Sequence, residues 1–538
     1  MKKFTTLIAL VFALQFCFAQ WNPDTALNTL VADSSAGDMQ AIGTSDGKTY
    51  VVFWKVVPPP NNYELRVQLL NENGVQLFGP DGMLVSDALP MSTFTVTWSI
   101  TIDQDDNLYI GVTGTQNFDA FAFKIDTEGN HLWGTNGAQL GTGNVVKILP
   151  LSNGEAIVSW YPSPQALLQK LDASGDTVWA NPVEVVSGGS NTVAAELFEL
   201  SNGDFTLVFH QLLGGINSFL YAQRYDSNGV SQWASPTQLA NRATTFNRSY
   251  SKAQDGDVVY MGYFASVGNR FDSYLQRLNP DGSLPWGING SDFDVNETDY
   301  EMETSIAFKP GSDFIWSVCT YANTTQNLKG TFVQKFNKTS GDRLFTDNAK
   351  QVYPISSDSN VPVGSLHLIN DQPFFLIKNG LDTGVSPVTL HSVYLDENGD
   401  FAWPEETRDV ATFQASKSRI QYTKPVNGQS VAVFIEQKTG DTQPMIYAQN
   451  SVEEPLSVVD FNEFQVTFNN PVGNLFTIES TSALKTVAIY DISGKIIYRN
   501  NLDSVNFIQL NSSGWKKGIY LMQLESNEGK KQTFKLLK

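Results

Sequence analysis

The sequence predicts an all-β protein: an eight-bladed β-propeller closed by its own N-terminal strand, with seven blades as the alternative, followed by a small C-terminal β-sandwich. Three observations carry this. First, Leu171 to Pro182, LDASGDTVWANP, recurs in varied letters from Leu69, Lys124, Arg224, Arg277, Lys335 and Tyr394. Second, a polar turn followed by an apolar strand occurs eight times, from Ser45, Asp105, Ser152, Ser201, Gln254, Gly311, Asn370 and Asn427. Third, the missing eighth copy of the first pattern lies at the other end of the chain, where Trp21-Asn22-Pro23 matches Trp179 to Pro182 and leads into a similar extended stretch. Self-similarity at a spacing of roughly 46–59 residues is the mark of a repeat architecture.

Each element follows from its residues. In the recurrent hairpin Gly175, Gly229 and Gly282 supply the positive φ of a tight turn, and the preceding Asp or Asn can close an Asx-turn. The aromatic on the outgoing strand, Trp133, Trp179, Trp233, Trp286 or Trp403 with Phe78 and Phe345 as variants, reads as a packing residue between neighbouring units. Each unit thus supplies an inner strand, a polar turn, a second strand, a long loop, a third strand, an Asp-Gly turn and a Trp strand. The last unit, about Ser418 to Asn450, lacks its outermost strand, and lending it the N-terminal one removes an open edge. Neither WD nor kelch signatures are present.

Composition agrees. Charged residues are sparse at 17%, aromatics plentiful at 12%, and glycine numbers 41 in 538 residues. A formal net charge of −20 disfavours nucleic acid and anionic lipid as partners. Residues 1–19 read as a signal peptide: Lys2 and Lys3 precede an apolar run from Leu7 to Phe18, with Cys17 and Ala19 at the cleavage positions. That run is too short for a transmembrane span, and Phe16 stands where a lipobox before Cys17 needs a small residue. Cys319 is then the single mature cysteine, so no internal disulfide forms, and a buried thiol is expected.

The hairpin is similar to the pyrroloquinoline-quinone-type propeller repeat at Leu171, Asp172, Gly175 and Trp179. The resemblance implies blade construction only, since one mature cysteine excludes the vicinal pair usual in the quinone dehydrogenases. No cofactor is expected.

After Asn450 the periodicity stops, so the propeller is assigned to residues 20–450 and Ser451–Asn462, acidic and with a proline, to a linker. Residues 463–538 read as the sandwich, and from Asp460 on the charge balance shifts to about nine Lys/Arg against about seven Asp/Glu. This segment resembles the type A C-terminal sorting domain of the type IX secretion system of Bacteroidetes. The matching residues are Asn470-Pro471, the turn Tyr490 to Lys495 with Asp491, Gly494 and Lys495, the strand start Lys517-Gly518-Ile519-Tyr520, and the closing Lys530 to Lys538. The resemblance implies Sec export through the periplasm, then passage across the outer membrane by the type IX machinery. The cargo would be secreted or surface-attached, commonly with the tag removed.

Chemistry is less legible. His131, His210, His367 and His391 fall in different units, and no HExxH, GxSxG, P-loop or zinc spacing occurs. The Asp-rich turns at Asp103 to Asp106 and Asp292 to Asp299 lack the closing Glu of a calcium loop, so no metal site is expected. Long loops between second and third strands should share one face of the disc. Trp54, Trp160, Tyr161, Phe264 and Tyr321, with His210 in the equivalent place, sit where those loops begin and are the candidate ligand-binding residues, with inter-blade packing as the competing role. The sequence therefore predicts a monomeric, non-catalytic module that binds glycan or protein ligands, the alternative being a secreted lyase or glycosidase with a site at the channel.

Overall fold

The computed structural model describes residues 21–58, 63–87, 98–114, 119–214, 217–245, 250–381, 386–438, 442–452, 466–492, 494–527 and 531–538. The expected signal peptide and nearly all of the expected linker lie outside these residues. Two compact units are present, Met1–Glu453 and Glu454–Lys538. Among the described residues there is no helix, and strands fill both units. No helix long and apolar enough to cross a membrane is found among them.

In the first unit the strands form antiparallel sets of four, ordered as in a propeller. Four free-standing sheets are Ser99–Ile102 to Ala138–Thr142, Asn144–Pro150 to Val183–Glu184, Ser251–Asp255 to Ser291–Asp292, and Tyr300–Ala307 to Lys350–Ser356. A fifth set, Thr192–Glu199 to Thr237–Gln238, carries one extra short strand, Thr244–Thr245. The remaining three sets are fused into one ten-stranded sheet by two long shared strands. Thr407–Tyr422 pairs with Val388–Tyr394 through its first half and with Gln429–Gln437 through its second. Thr29–Gly43 does the same: Thr29 and Leu30 lie opposite Ala448 and Tyr447, and Ala36 to Gly43 run along Thr49–Val56. Its first half is therefore the fourth strand of the set that begins at Ser416, and its second half the first strand of the set that ends at Ser86.

The core lies between successive sheets. One cluster joins Trp54, Val67 and Val85 of one set to Trp98, Leu108 and Phe123 of the next; another joins Val31, Phe53 and Leu70 to Val433 and Ile446. This explains why second strands such as Tyr50–Trp54, Leu108–Thr113 and Ile315–Ala322 are apolar on both faces and fully buried: each is covered on either side by a neighbouring sheet.

The seams reuse the recurrent hairpin. Asp172 Oδ1 accepts the backbone N–H groups of Ser174 and Asp176 at 2.8 and 3.0 Å, and Gly175 adopts φ 87°. A Cβ on Gly175 would stand 2.7 Å from the Trp133 ring of the preceding set, so glycine is needed for the approach as well as the turn. Trp133 Nε1 donates to Ala173 O (3.2 Å), and Trp179, Trp233 and Trp286 donate in the same way to Ser227 O, Pro280 O and Thr339 O. Trp21 joins the series: it packs on Gly74 and donates to Glu72 O at 2.9 Å.

The C-terminal unit is a small sandwich built on Leu475–Asp491. The first half of this strand pairs with Val466–Phe468 and the end of Ile496–Asn511. Its second half pairs with the start of that strand and with Ile519–Ser526. Phe476, Ile478, Val487, Ile489, Met522, Leu524 and Leu536 fill the interior.

Candidate functional site

Most of the aromatic positions expected on the long-loop face are closed. Trp54, Trp160, His210 and Tyr321 are 1%, 3%, 0% and 1% exposed, because the adjoining sheet covers the strand ends on which they sit. Trp54 meets Trp98 edge-on at 6.2 Å, and Tyr321 stacks on Phe332 at 3.9 Å while its hydroxyl donates to Asp294 Oδ2 at 2.5 Å. The His210 ring shares a proton with Ser218 Oγ (2.6 Å), and burial first, then the nearby Lys147 charge, pushes its pKa down to about 3. These four are packing residues and cannot stack on a sugar ring. Tyr161 and Phe264 remain partly exposed.

Phe264 lines an open cleft of about 680 Å³. Its walls come from four innermost strands, including Ser251, Glu303 to Ser305, Val361 to Leu366 and Lys417 to Gln421, and from Phe264 and Lys378 on second strands; the long loop expected from Phe264 is instead strand up to Val267, turning through Gly268-Asn269 into Arg270–Leu278. The cleft is therefore at the long-loop end of the innermost strands. What shapes it is a recurrent β-bulge. Pairing slips by a residue or more at Ala36/Asp38, Ala194/Glu196, Met302/Ser305, Val363/His367 and Ser418/Gln421, all on innermost strands. Glu303 and Arg419 sit at φ 57° and 53°, conformations costly for residues with a Cβ. A bulge re-aims side chains, and here it turns Glu303 and Arg419 toward the cleft. Both are exposed, and Arg419 Nε pairs with Asp38 Oδ1 at 3.0 Å.

Ion pairs tie neighbouring innermost strands. Glu196 meets Lys147 at 3.5 Å and Lys252 at 2.6 Å; burial alone would raise its pKa, but the two ammonium groups hold it below the usual carboxylate range. Within one set, Lys417 on the innermost strand and Glu436 opposite it on the second, both side chains fully buried, pair at 3.0 Å.

A second concentration of charge lies between the sets beginning at Ser251 and Tyr300. Asp294 and Glu301 are 2% and 1% exposed. Burial, then the Asp294 charge and hydrogen bond, raises the Glu301 pKa far above the carboxylate range, so Glu301 holds its proton. Asp292, raised by burial and by Asp272 to about 7, opens into a smaller cavity of about 370 Å³ with Trp286, Asp342, Arg343 and Asp347. Elsewhere Thr389 Oγ1, His391 and Asp409 form a hydroxyl–imidazole–carboxylate chain at 2.8 and 2.9 Å. Thr389 is buried, so this chain ties adjacent strands rather than presenting a nucleophile. Cys319 is buried against Ser273 and Met302 O, and burial pushes its thiol pKa up, which makes it unreactive. No group of three or more His, Cys, Asp or Glu able to hold a metal is found among the described residues.

Sequence reasoning missed one recurrent residue. Gln68, Gln169, Gln223, Gln276 and Gln334 stand three residues before the turn Asn or Asp, and Gln449 occupies the same third-strand position. Gln169 Nε2 donates to Trp179 O (3.1 Å) while its Oε1 accepts from Trp179 N (3.2 Å); Gln449 Nε2 donates to Asn22 O (2.9 Å). These glutamines moor the outermost segments of six sets, Phe123 and Val393 standing at the position in the other two, and their fixed offset from the turn was a readable signal.

In the C-terminal unit the motif residues are framework. Asn470, followed by a cis peptide bond to Pro471, donates to Lys535 O (3.1 Å) and accepts from Leu537 N (2.8 Å). Asp491 Oδ1 accepts from Lys495 N (3.1 Å) across a turn in which Gly494 has φ 82°. Gly518 and Lys538 exchange backbone bonds, and Tyr520 OH donates to Lys516 O (2.8 Å).

Comparison with known proteins separates the two units. No curated protein matches the chain. Among solved structures, the family GH93 α-L-arabinofuranosidase of Fusarium graminearum with arabinobiose shares 11% identity over 57% of this chain and 92% of its own, at a TM-score of 0.34. An endo-1,4-β-xylanase from Bacteroides thetaiotaomicron shares 9% over 48% and 95%, at 0.27. Prolyl oligopeptidase B from Galerina marginata shares 11% over 88% and 60%, at 0.41. Likeness at these TM-scores says nothing about chemistry. Residues 467–538, in contrast, match the family described as "Secretion system C-terminal sorting domain". The chain thus ends in a secretion-system sorting domain, which marks it as a cargo of the type IX route, carried to the cell surface or beyond.

Proposed function

We propose that this protein is an exported ligand-binding propeller of eight blades. Its N-terminal strand completes the last blade, and its cleft at the long-loop end of the channel takes glycan or protein ligands without transforming them. In this reading a signal peptide at 1–19 directs Sec export, residues 20–450 are the cargo, and residues 463–538 are the tag read by the type IX machinery. The carrying observation is the cleft itself. It is lined by hydroxyls, amides, Glu303, Arg419 and the partly exposed Phe264, whereas Glu301 and Tyr321, whose titration burial displaces strongly, do not line it. A concave site with a few convergent polar groups on rigid strands suits recognition. Ligand-binding residues are accordingly Phe264, Glu303 and Arg419.

One observation favours the enzymatic alternative. Asp292, with a pKa of about 7, faces a cavity that also holds Asp342, Asp347 and the Trp286 ring, the ingredients of general acid chemistry on a sugar. The test incubates the full chain with a polysaccharide array and assays the same wells for released reducing or unsaturated ends. Binding without product, weakened about tenfold by Arg419→Ala through the loss of a charged hydrogen-bond donor, supports the binding reading. Product formation that disappears in Asp292→Asn sinks it.

A further inference from the structure

We infer that the outer face of the C-terminal sandwich, at the end framed by the sorting motif, is the surface that docks on the export machinery. Its partner would be a protein surface of apolar centre and acidic rim. This rests on the reading of residues 467–538 as the sorting tag.

Strand alternation explains the face. In Ile519–Ser526 the side chains of Tyr520, Met522 and Leu524 point into the core, so Ile519, Leu521 and Gln523 point out. Cross-strand pairing then sets the outward rows. Leu521 lies opposite Tyr490, which lies opposite Ile496, and on its other side opposite Lys535; Ile519 lies opposite Leu537. The next row reads Arg499, Ala488, Gln523 and Thr533. The face is therefore apolar at one end and polar at the other. Ile496, Ile519, Leu521 and Leu537 are 40–50% exposed. Grouped exposed aliphatic residues on a sheet face mark an interaction site.

The rest of the geometry says how the partner must approach. Asn470 covers the free edge of the last strand by bonding both Lys535 O and Leu537 N, and Val472 N also donates to Leu537 O. Strand addition at that edge is blocked there, and the exposed aliphatic rows present the face as the recognition surface. Lys495, Lys517 and Lys535 stand exposed around the apolar rows. In a chain of net charge −20, a lysine rim around an apolar patch is complementary to carboxylates on a partner. The motif residues thereby acquire a role: Asp491 and Gly494 shape the turn beside Ile496, while Gly518 and Asn470 hold Ile519 and Leu537 in register.

The experiment expresses full-length variants in the native host and follows them by immunoblot in the periplasm and outside the cell. Outward positions tolerate polar residues without loss of the core, and resistance of periplasmic material to trypsin verifies folding. Leu521→Asp should lower export about tenfold or more, as expected for a central contact, and leave folded protein in the periplasm. Lys535→Glu should lower it less, and Gln523→Asp, on the same face but in the polar row, should be exported normally. Normal export of Leu521→Asp, or equal loss with Gln523→Asp, would overturn the proposal. So would wild-type protein that self-associates through Leu521 while the variant is exported normally, since the face would then serve a second copy of the chain. Deletion of residues 467–538 provides the separate check: undiminished export after deletion would remove the sorting reading itself.

Discussion

Replacing Trp21 with alanine tests how firmly the first strand is held. Trp21 is 7% exposed, packs on Gly74 so closely that a Cβ there would meet its ring at 2.9 Å, and donates Nε1 to Glu72 O at 2.9 Å. Truncating a buried tryptophan costs about 3–5 kcal/mol, the lost transfer energy plus the cavity left behind. The Glu72 carbonyl, in an exposed turn, keeps its second hydrogen bond from Gln429 Nε2 (2.8 Å), so little is added. With an unfolding entropy near 2.1 cal/mol/K per residue over roughly 430 residues, about 4 kcal/mol becomes a drop of about 4–5 °C in Tm. Trp133→Ala removes an equivalent contact inside the chain and should cost a similar amount. Hydrogen exchange separates the two. Trp21→Ala should speed exchange in Thr29–Ser35 and Met445–Val452, the strands it helps to hold together, while Trp133→Ala should leave them protected. A Tm change below about 1 °C, or identical exchange patterns in both variants, would refute the view that the N-terminal segment is locked like an internal one.

Two further outcomes are expected. Glu301 has a folded pKa raised above its unfolded value, so it takes up a proton on folding; the stability this contributes is full below the unfolded pKa and is lost progressively as pH rises from there toward the folded value. Glu301→Gln should therefore flatten the fall in stability between about pH 5 and 8, a slope of up to about 1.4 kcal/mol per pH unit, measured by urea unfolding across that range; an unchanged slope would place the proton elsewhere. Gln169→Ala removes a donor to Trp179 O and an acceptor for the N–H groups of Lys170 and Trp179. It should cost about 1–3 kcal/mol in the same assay, and stability equal to that of the wild type would show that the outermost segment is held by its tryptophan ring instead.

What the sequence made legible was whatever depended on local chemistry. Gly175 and Asp172 announce a tight turn because only such residues close one cheaply, and Trp179 repeats at a fixed offset from them. The all-β class and the secretion tail follow from such signals. The candidate site was less readable for physical reasons. Burial of Trp54, Trp160, His210 and Tyr321 depends on the neighbouring sheet, which no local pattern encodes. Glu303 and Arg419 reach the cleft only because bulges force positive φ on residues that ordinarily avoid it, and neither letter betrays that. The Asp294–Glu301 pair joins residues of one acidic stretch, yet the proton Glu301 holds depends on the Tyr321 strand and the surrounding apolar wall.

The strand Thr29–Gly43 has a consequence for how the molecule is made. Asn22 and Gln449 are hydrogen-bonded across 427 residues of chain, so the first half of Thr29–Gly43 waits through the synthesis of all the intervening strands for its partner, while the second half pairs at once with Thr49–Val56. Until residues 445–452 follow, the growing protein carries an unsatisfied strand at its beginning, and a contact of such long sequence separation forms slowly. Pairing of Thr29 and Leu30 with Ala448 and Tyr447 is then paced by synthesis of the strand Met445–Val452. A protease that trimmed past Leu30 would strip the cover from Met445–Val452 and leave a bare edge ready to pair with another molecule.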